Sequence, residues 1–119
     1  QRDLQRLLTE AEHQLGSSDV HTLAIRSALA SFMARDPQLV ATAADSFSRL
    51  VADREEALGP EHPHTLHSRI QMAKTRIAQG DRAQARRDLD QILLAAERVL
   101  EPGHRHIAAA ARLRDASAG

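Results

Sequence analysis

Between residues 58 and 66 the chain reads Leu58-Gly59-Pro60-Glu61-His62-Pro63-His64-Thr65-Leu66. An earlier stretch aligns with it at an offset of 43 residues and reads Leu15-Gly16-Ser17-Ser18-Asp19-Val20-His21-Thr22-Leu23. A weaker third copy follows 42 residues after the central one and reads Leu100-Glu101-Pro102-Gly103-His104-Arg105-His106-Ile107-Ala108. A glycine readily ends a helix in the left-handed conformation, and a proline suits the first helical turn. The three stretches therefore predict three helix-to-helix turns, one per structural repeat.

An apolar pattern precedes each of these turns and recurs with the same period. Large apolar residues stand at positions i, i+3, i+4 and i+11, which share one helix face. The aligned columns are Leu4/Phe47/Leu89, Leu7/Leu50/Ile92, Leu8/Val51/Leu93 and Leu15/Leu58/Leu100. In the middle of each repeat Asp36-Pro37 and Gly80-Asp81 interrupt the pattern, and both aspartates suit the N-cap of a following helix. We therefore predict six helices, at about 2–15, 20–35, 37–57, 63–79, 81–99 and 105–115.

The composition fits an all-α domain and argues against several classes of function. The 119 residues carry 16 basic and 16 acidic side chains, so the net charge lacks the positive excess of a nucleic-acid binder. There is no cysteine for a disulfide or thiolate site, and Phe32 and Phe47 are the only aromatics for base stacking. No apolar run reaches the roughly 20 residues of a membrane span, and Gln1-Arg2-Asp3 does not open a signal peptide. We expect a cytoplasmic protein.

The helix-turn-helix unit resembles the tetratricopeptide repeat (TPR) in its longer, kinesin-light-chain-type form. The resemblance rests on residues 58–66 and on the register inside the unit. Counted from Ala73 as the small residue of the first helix, Gly80, Ala85 and Leu89 follow at seven, twelve and sixteen residues. The resemblance implies a right-handed α-solenoid of antiparallel helix pairs, of a kind that bacterial multidomain regulators carry.

The register divides the chain into one repeat domain, 1–119, with two complete units between two half units. The half units are 1–19 and 105–119, and the complete units are 20–62 and 63–104. Because a unit of this kind buries its apolar face on its neighbours, we expect a fragment of a longer array or multidomain protein. The alternative is a degenerate short array whose end helices act as caps. The residues expected in the core are Leu4, Leu7, Leu8, Leu23, Leu29, Phe47, Leu50, Val51, Met72, Ala73, Ala85, Leu89, Ile92 and Leu93.

The two end helices lack a neighbour on one side. We expect apolar stripes to remain exposed there, at Leu4, Leu7 and Leu8 and at Ile107, Ala110, Ala111 and Leu113. Exposed apolar patches favour association, so the sequence predicts self-association, chiefly through the first helix. Inside the array, Arg26 and Arg69 share a column, and we expect each to be structural, with Glu55 and Glu97 as acidic partners.

The resemblance also implies a concave face lined by the first helix of each pair. Carried over to this sequence, that face presents Ser27, Ser31, His67, Ile70, Gln71, Lys74 and Arg112. Family members commonly clamp a peptide backbone with an Asn pair before the small residue, where this chain has Ser27-Ala28 and Ile70-Gln71. Of these four residues only Gln71 retains an amide for such a bond.

The resemblance implies a protein-interaction module that binds a peptide or protein segment, as the regulatory or scaffolding arm of a larger bacterial signalling protein. A structural spacer array with no ligand in this stretch is the alternative. A metal or small-molecule sensor is a weaker third hypothesis. The hypotheses differ in what the concave face contacts: a peptide or protein segment, nothing, or a metal or small molecule.

Several histidines and acids are candidate sites of chemistry. His62, His64 and His67 lie close together, and His104 and His106 repeat the spacing, but no His-Glu-x-x-His helix occurs and the nearby acids are in turns. This pattern favours a helix-starting turn over a metal site. No Gly-x-Ser-x-Gly elbow or phosphate-binding glycine loop is present, and the carboxylate pairs lie on helix faces among arginines. We expect no metal, no cofactor and no enzymatic activity.

Overall fold

The computed structural model describes residues 2–16 and 19–117, which form helices joined by short turns. The helices are α1 (Arg2–Leu15), α2 (Val20–Met33), α3 (Val40–Leu58), α4 (Pro63–Ala78), α5 (Arg82–Val99) and α6 (Arg105–Ser117). Each helix packs against the next along the chain, and α4 also packs against α6. The described residues contain no strand. The architecture is the predicted all-α solenoid of helix pairs.

The turns predicted from the repeat all begin or end helices as expected. Gly16 and Gly59 have φ values of +94° and +100°, the left-handed region that glycine enters without strain. Pro63 is the first residue of α4. At the N-terminus of α2, Asp19 Oδ1 accepts a hydrogen bond from the His21 amide at 2.9 Å.

The imidazoles at the next two turns repeat this cap. His62 Nδ1 accepts from the His64 amide at 3.0 Å, and His104 Nδ1 accepts from the His106 amide at 3.0 Å. The cap therefore recurs with the sequence period, at Asp19, His62 and His104. Two of the histidines that invited a metal hypothesis thus serve as helix caps.

The turn between α2 and α3 is longer than predicted. Asp36 is not the N-cap of α3, which begins at Val40 and is preceded by Leu39 without a side-chain cap bond. Instead, Asp36 Oδ1 accepts from the Gln38 amide at 2.9 Å and closes a local turn. The Asp36 carbonyl oxygen also accepts from the Leu39 amide at 2.8 Å, so Asp36-Pro37 begins a separate turn and α3 starts only after it. At the equivalent place in the next unit, Asp81 does cap α5 as predicted, accepting from the Gln84 amide at 3.3 Å.

Most of the predicted core is buried. The fully or nearly fully buried members are Leu23, Phe47, Leu50, Val51, Ala73, Ala85, Leu89, Ile92 and Leu93. Leu4, Leu8, Leu29 and Met72 are partly buried. The prediction was wrong for Leu7, which is 49% exposed because α1 packs against α2 on one side only.

The two ends of the solenoid differ. On α6 the expected exposed stripe is wrong, because Ala110 is fully buried and Ile107, Ala111 and Leu113 pack against the core of α4 and α5. On α1 the expected stripe is exposed only in part, since Leu7 is 49% exposed whereas Leu4 and Leu8 are partly buried. Leu15, outside the predicted stripe, is also 49% exposed. The apolar end surface is therefore confined to the N-terminal helix.

At millimolar concentration we expect this α1 surface to mediate self-association. Burial of apolar surface contributes about 25 cal/mol per Å², so Leu7→Ala should shift the monomer–dimer equilibrium towards monomer. Light scattering over a concentration series measures the change. Leu94→Ala, which removes a leucine that is 63% exposed on α5, is the matched control and should behave as wild type. A wild-type chain that stays monomeric, or equal behaviour of the two variants, would contradict the expectation.

The predicted partners of the column arginines need correction. Arg26 is bonded to Asp53 at 2.6 Å, whereas the expected acid, Glu55, is exposed. Side chains two positions apart in a helix point to nearly opposite sides. Because the side chain at position 53 faces α2, the side chain at position 55 points away from α2. Glu97 is likewise exposed, and among the described residues it forms no ion pair with Arg69.

Candidate binding cleft

A cleft of about 580 Å³ lies between α2, α4 and α6, with one arginine contributed by α3. We call it the inner cleft. Its lining consists of Ala24, Ser27, Arg54, His64, His67, Ile70, Gln71, Arg105, His106, Ala109 and Arg112. The first helices of successive pairs therefore share one open face, as the predicted concave side requires.

A smaller cleft of about 240 Å³ continues this face towards the other end of α4. The two clefts share Gln71, and Ser31 and Lys74 line only the smaller one. Five of the predicted residues, namely Ser27, His67, Ile70, Gln71 and Arg112, line the inner cleft. All seven residues predicted for the concave face are thus brought to one continuous surface.

The burial of these residues divides the surface into a floor and a rim. Ile70 is 2% exposed and Ser27 is 9% exposed, so both belong to the floor. His67 and Gln71 are partly buried, whereas Lys74 and Arg112 are exposed at the rim. Repetition explains the arrangement, because Ser27, Ile70 and Arg112 occupy the same position in three successive repeats.

A group of imidazoles lies at one end of the inner cleft. The ring centroids of His67 and His106 are 5.1 Å apart, and those of His104 and His106 are 4.8 Å apart. Burial, followed by His67, His104 and other nearby bases, lowers the pKa of His106 to about 4. Burial is also the main cause that lowers the pKa of His67. Both side chains are therefore neutral at pH 7 and can each donate one N–H.

Arg54 is the main cleft residue that the sequence analysis missed. It belongs to α3, a second helix of a pair, yet it lines the inner cleft and is only 5% exposed. Its Nη1 donates to Ser68 Oγ at 2.6 Å and to the His64 carbonyl oxygen at 3.2 Å, while its Nε has no hydrogen-bond partner. Burial, and then the charge of Arg26, lowers the pKa of Arg54.

A sequence signal for Arg54 does exist. The aligned positions in the other repeats are Ala11 and Ala96, and both of these alanines are buried. Ser68, which accepts from Arg54, likewise replaces Ile25 and Ala110 in its column. At the interface between α3 and α4, a hydrogen-bonded arginine and serine therefore stand where the other repeats have two apolar residues.

The charge of the inner cleft is one-sided. Arg54, Arg105 and Arg112 line it together with three histidines, and no aspartate or glutamate of residues 2–16 and 19–117 does. The clefts on other faces differ, since one includes Glu61 and another includes Glu12 and Asp53. Such a lining can hold an anionic group by charge-assisted hydrogen bonds. It offers no carboxylate to act as a general base.

The imidazole group does not assemble a metal site. Across residues 2–16 and 19–117, no three His, Cys, Asp or Glu side chains come together in a way that could hold an ion. We expect zinc to bind no more tightly than about micromolar, because a site with fewer than three protein ligands leaves most of the coordination sphere to water. Isothermal titration calorimetry with zinc chloride measures this affinity. Submicromolar binding that is lost in His67→Gln would contradict the expectation.

None of the described helices combines the length and the apolar character needed to cross a membrane.

Comparisons with known proteins bear on the fold. No protein-family model matches the sequence, and no curated protein matches it significantly. Among solved structures, a kinesin light chain-like protein of Podosopora anserina with nearly identical TPR-like repeats is similar to 96% of this chain, with 24% identity and a TM-score of 0.73. A variant of that protein is similar over the same 96%, with 24% identity and a TM-score of 0.75.

The chain spans about half the length of these proteins, 54% and 53% respectively. A likeness at this level of identity establishes a TPR-like repeat fold. The similar proteins are fungal, and the matches carry no information about the partner of this chain.

Proposed function

We propose that this chain is a non-catalytic protein-interaction module that binds a peptide or protein segment along its concave face. In this proposal it forms the regulatory or scaffolding arm of a larger bacterial signalling protein in the cytoplasm. The observation that carries the proposal is the continuous surface formed by the inner cleft and its smaller extension, which share Gln71. None of the described residues fills either cleft.

The dimensions and chemistry of this surface support a peptide-like ligand. The two clefts lie in series along α4, so an extended segment can cross several repeats while contacting both. Ile70 provides an apolar floor, and Gln71 provides the amide that can bond a peptide backbone at the junction. The exposed cations at the rim, Lys74 and Arg112, can orient a bound segment by attracting its negative charges.

Selection of random peptides displayed on phage against the 119-residue chain tests the proposal. Individual selected peptides are then measured by fluorescence polarisation against wild type and Gln71→Ala. We expect Gln71→Ala to weaken binding about fivefold, the effect of losing one or two hydrogen bonds. Gln91→Ala is the matched control, because Gln91 is exposed and lines a cleft on the outer face.

A structural spacer predicts a different result. If no peptide is enriched, or if the enriched peptides bind wild type and Gln71→Ala equally well, the concave face is not a peptide-binding surface. Peptides that lose affinity only in Gln91→Ala would move the interaction to the outer face and contradict the proposal.

A further inference from the structure

The buried guanidinium of Arg54 lacks a carboxylate partner. At 5% exposure it forms no ion pair with any described residue, and its hydrogen bonds go to a hydroxyl and a carbonyl through Nη1 alone. Its Nε is buried without a partner. Arginine is rarely buried this deeply without an acid, because desolvating the charge is costly. The charged Arg54 side chain lies beside the open inner cleft.

Two further arginines stand at the same cleft and are also unpaired. Arg105 and Arg112 lie on α6, are exposed, and make no ion pair in the described part of the chain. Together with Arg54 they give the cleft three fixed positive charges and no negative one, although the chain as a whole is neutral. This segregation of charge points to an anionic ligand.

The number and kind of donors favour a phosphate group over a carboxylate. A phosphate monoester carries a charge of about −1.5 to −2 and three acceptor oxygens, which suits a cluster of several guanidinium groups. A single carboxylate would leave most of the charge of the three arginines unbalanced. His67 and His106, neutral at pH 7, add N–H donors without adding charge.

The lining also indicates what carries the phosphate. No phenylalanine, tyrosine or tryptophan contributes to the inner cleft, so it offers nucleobases no aromatic platform for stacking. The cleft continues into a second one along α4, as an extended polypeptide requires. A phosphorylated side chain within a protein segment fits both features.

We propose that the inner cleft is a phosphate-binding site that takes a phosphorylated serine or threonine of a partner protein, with Arg54 as the buried anchor and Arg105 and Arg112 closing on the group. This inference rests on the proposed peptide-binding function and adds the chemical class of the ligand. It also gives the Arg54–Ser68 pair a role, because Ser68 and the His64 carbonyl oxygen fix Nη1, Nε is buried, and no described residue bonds Nη2.

Inorganic phosphate and sets of phosphoserine peptides test the inference in solution at pH 7. Phosphate is titrated into the 15N-labelled chain while the arginine Nε–H and the α4 and α6 amides are followed by NMR. We expect saturable shifts at Arg54. We expect phosphoserine peptides of random flanking sequence to bind at least about tenfold more tightly than the same peptides with serine or glutamate, given the strength of charge-assisted bonds.

Three arginine-to-methionine variants locate the site. Arg54→Met keeps an unbranched apolar stem and should lose about tenfold or more of the phosphopeptide affinity. Arg112→Met alters an exposed residue, so it keeps the test valid if Arg54→Met does not fold, and it should weaken binding about threefold or more. Arg86→Met, exposed on the outer helix α5, is the matched control and should leave affinity unchanged.

The possible outcomes separate this inference from the proposed function. If unmodified or glutamate peptides bind as tightly as phosphopeptides, and this binding depends on Gln71, the phosphate site is overturned. The peptide-binding function is then left intact. Phosphate shifts at Arg54 without binding of any peptide overturn the peptide-binding function and the protein partner together. Tighter binding of single-stranded RNA than of phosphopeptides overturns the protein partner in favour of nucleic acid.

Discussion

Replacing Leu89 with alanine is expected to lower the free energy of unfolding by about 2–5 kcal/mol. Leu89 is fully buried in the cluster shared by α4, α5 and α6, where its neighbours include Leu66, Ala73 and Ile92. The truncation removes apolar burial and leaves a cavity that rigid, closely packed helices fill only in part. Because repeats contact only their neighbours, the substitution weakens the packing of α5 against α4 and α6, which also holds α6 in place.

Urea unfolding followed by circular dichroism measures this effect. Leu94→Ala is the matched control, because the same substitution on the same helix removes a side chain that is 63% exposed, and it should change stability by less than about 0.5 kcal/mol. A loss below about 0.5 kcal/mol for Leu89→Ala would show that the repeat register is wrong.

The sequence predicted those parts of the fold that depend on local chemistry repeated at a fixed period. Gly59 ends a helix and Pro63 starts one because of their own backbones, and three copies of the turn reinforce the assignment. Asp36 does not cap α3, because the turn that its carboxylate starts by accepting from the Gln38 amide ends at Leu39, before the helix begins. Leu7 failed as a core residue because its burial requires a neighbouring unit that α1 does not have.

The concave surface was predictable for a related reason. Residues at equivalent positions of α2, α4 and α6 face the same side, so Ser27, Ile70 and Arg112 come together from register alone. Arg54 could not be placed by this rule, because α3 belongs to the second helices, which the resemblance assigns to the convex side. Its side chain reaches the cleft only through the packing between α3 and α4, which is tertiary information.

The aligned apolar positions of the repeats nevertheless indicate where the candidate site lies. An arginine that replaces a buried alanine in an otherwise regular column is costly to the fold, and a serine in the facing column makes it tolerable. Departures from a repeat pattern are therefore more informative about function than the pattern itself. In this chain the departures at Arg54, Ser68 and His67 lie at or beside the inner cleft.

Acidification is expected to destabilise the fold through His106. Its pKa of about 4 in the folded chain lies below the ordinary value of 6.5, so the unfolded chain binds the proton more tightly. The stability that this difference provides is complete above pH 6.5 and is lost as the pH falls towards 4. The loss through His106 alone is about 3 kcal/mol between pH 7 and pH 4.

The groups around His106 explain why the fold resists its protonation. His106 is 9% exposed, and it faces His64 and His67 from α4, His104 and Arg105 from its own chain segment, and the cleft that also contains Arg54. None of these is an acid that would stabilise an imidazolium. Burial is the largest cause, and the surrounding bases act in the same direction.

Urea unfolding at pH 7.5, 5.5 and 4, compared between wild type and His106→Gln, isolates this contribution from the carboxylates that titrate in the same range. The glutamine keeps a polar side chain but does not titrate, so we expect the difference between the two proteins to change by about 3 kcal/mol from neutral pH to pH 4. His13→Gln, which alters an exposed histidine on α1 far along the chain from the cleft, is the matched control and should run parallel to wild type. Parallel curves for wild type and His106→Gln would contradict the lowered pKa and, with it, a neutral His106 as an N–H donor in the inner cleft at mildly acidic pH.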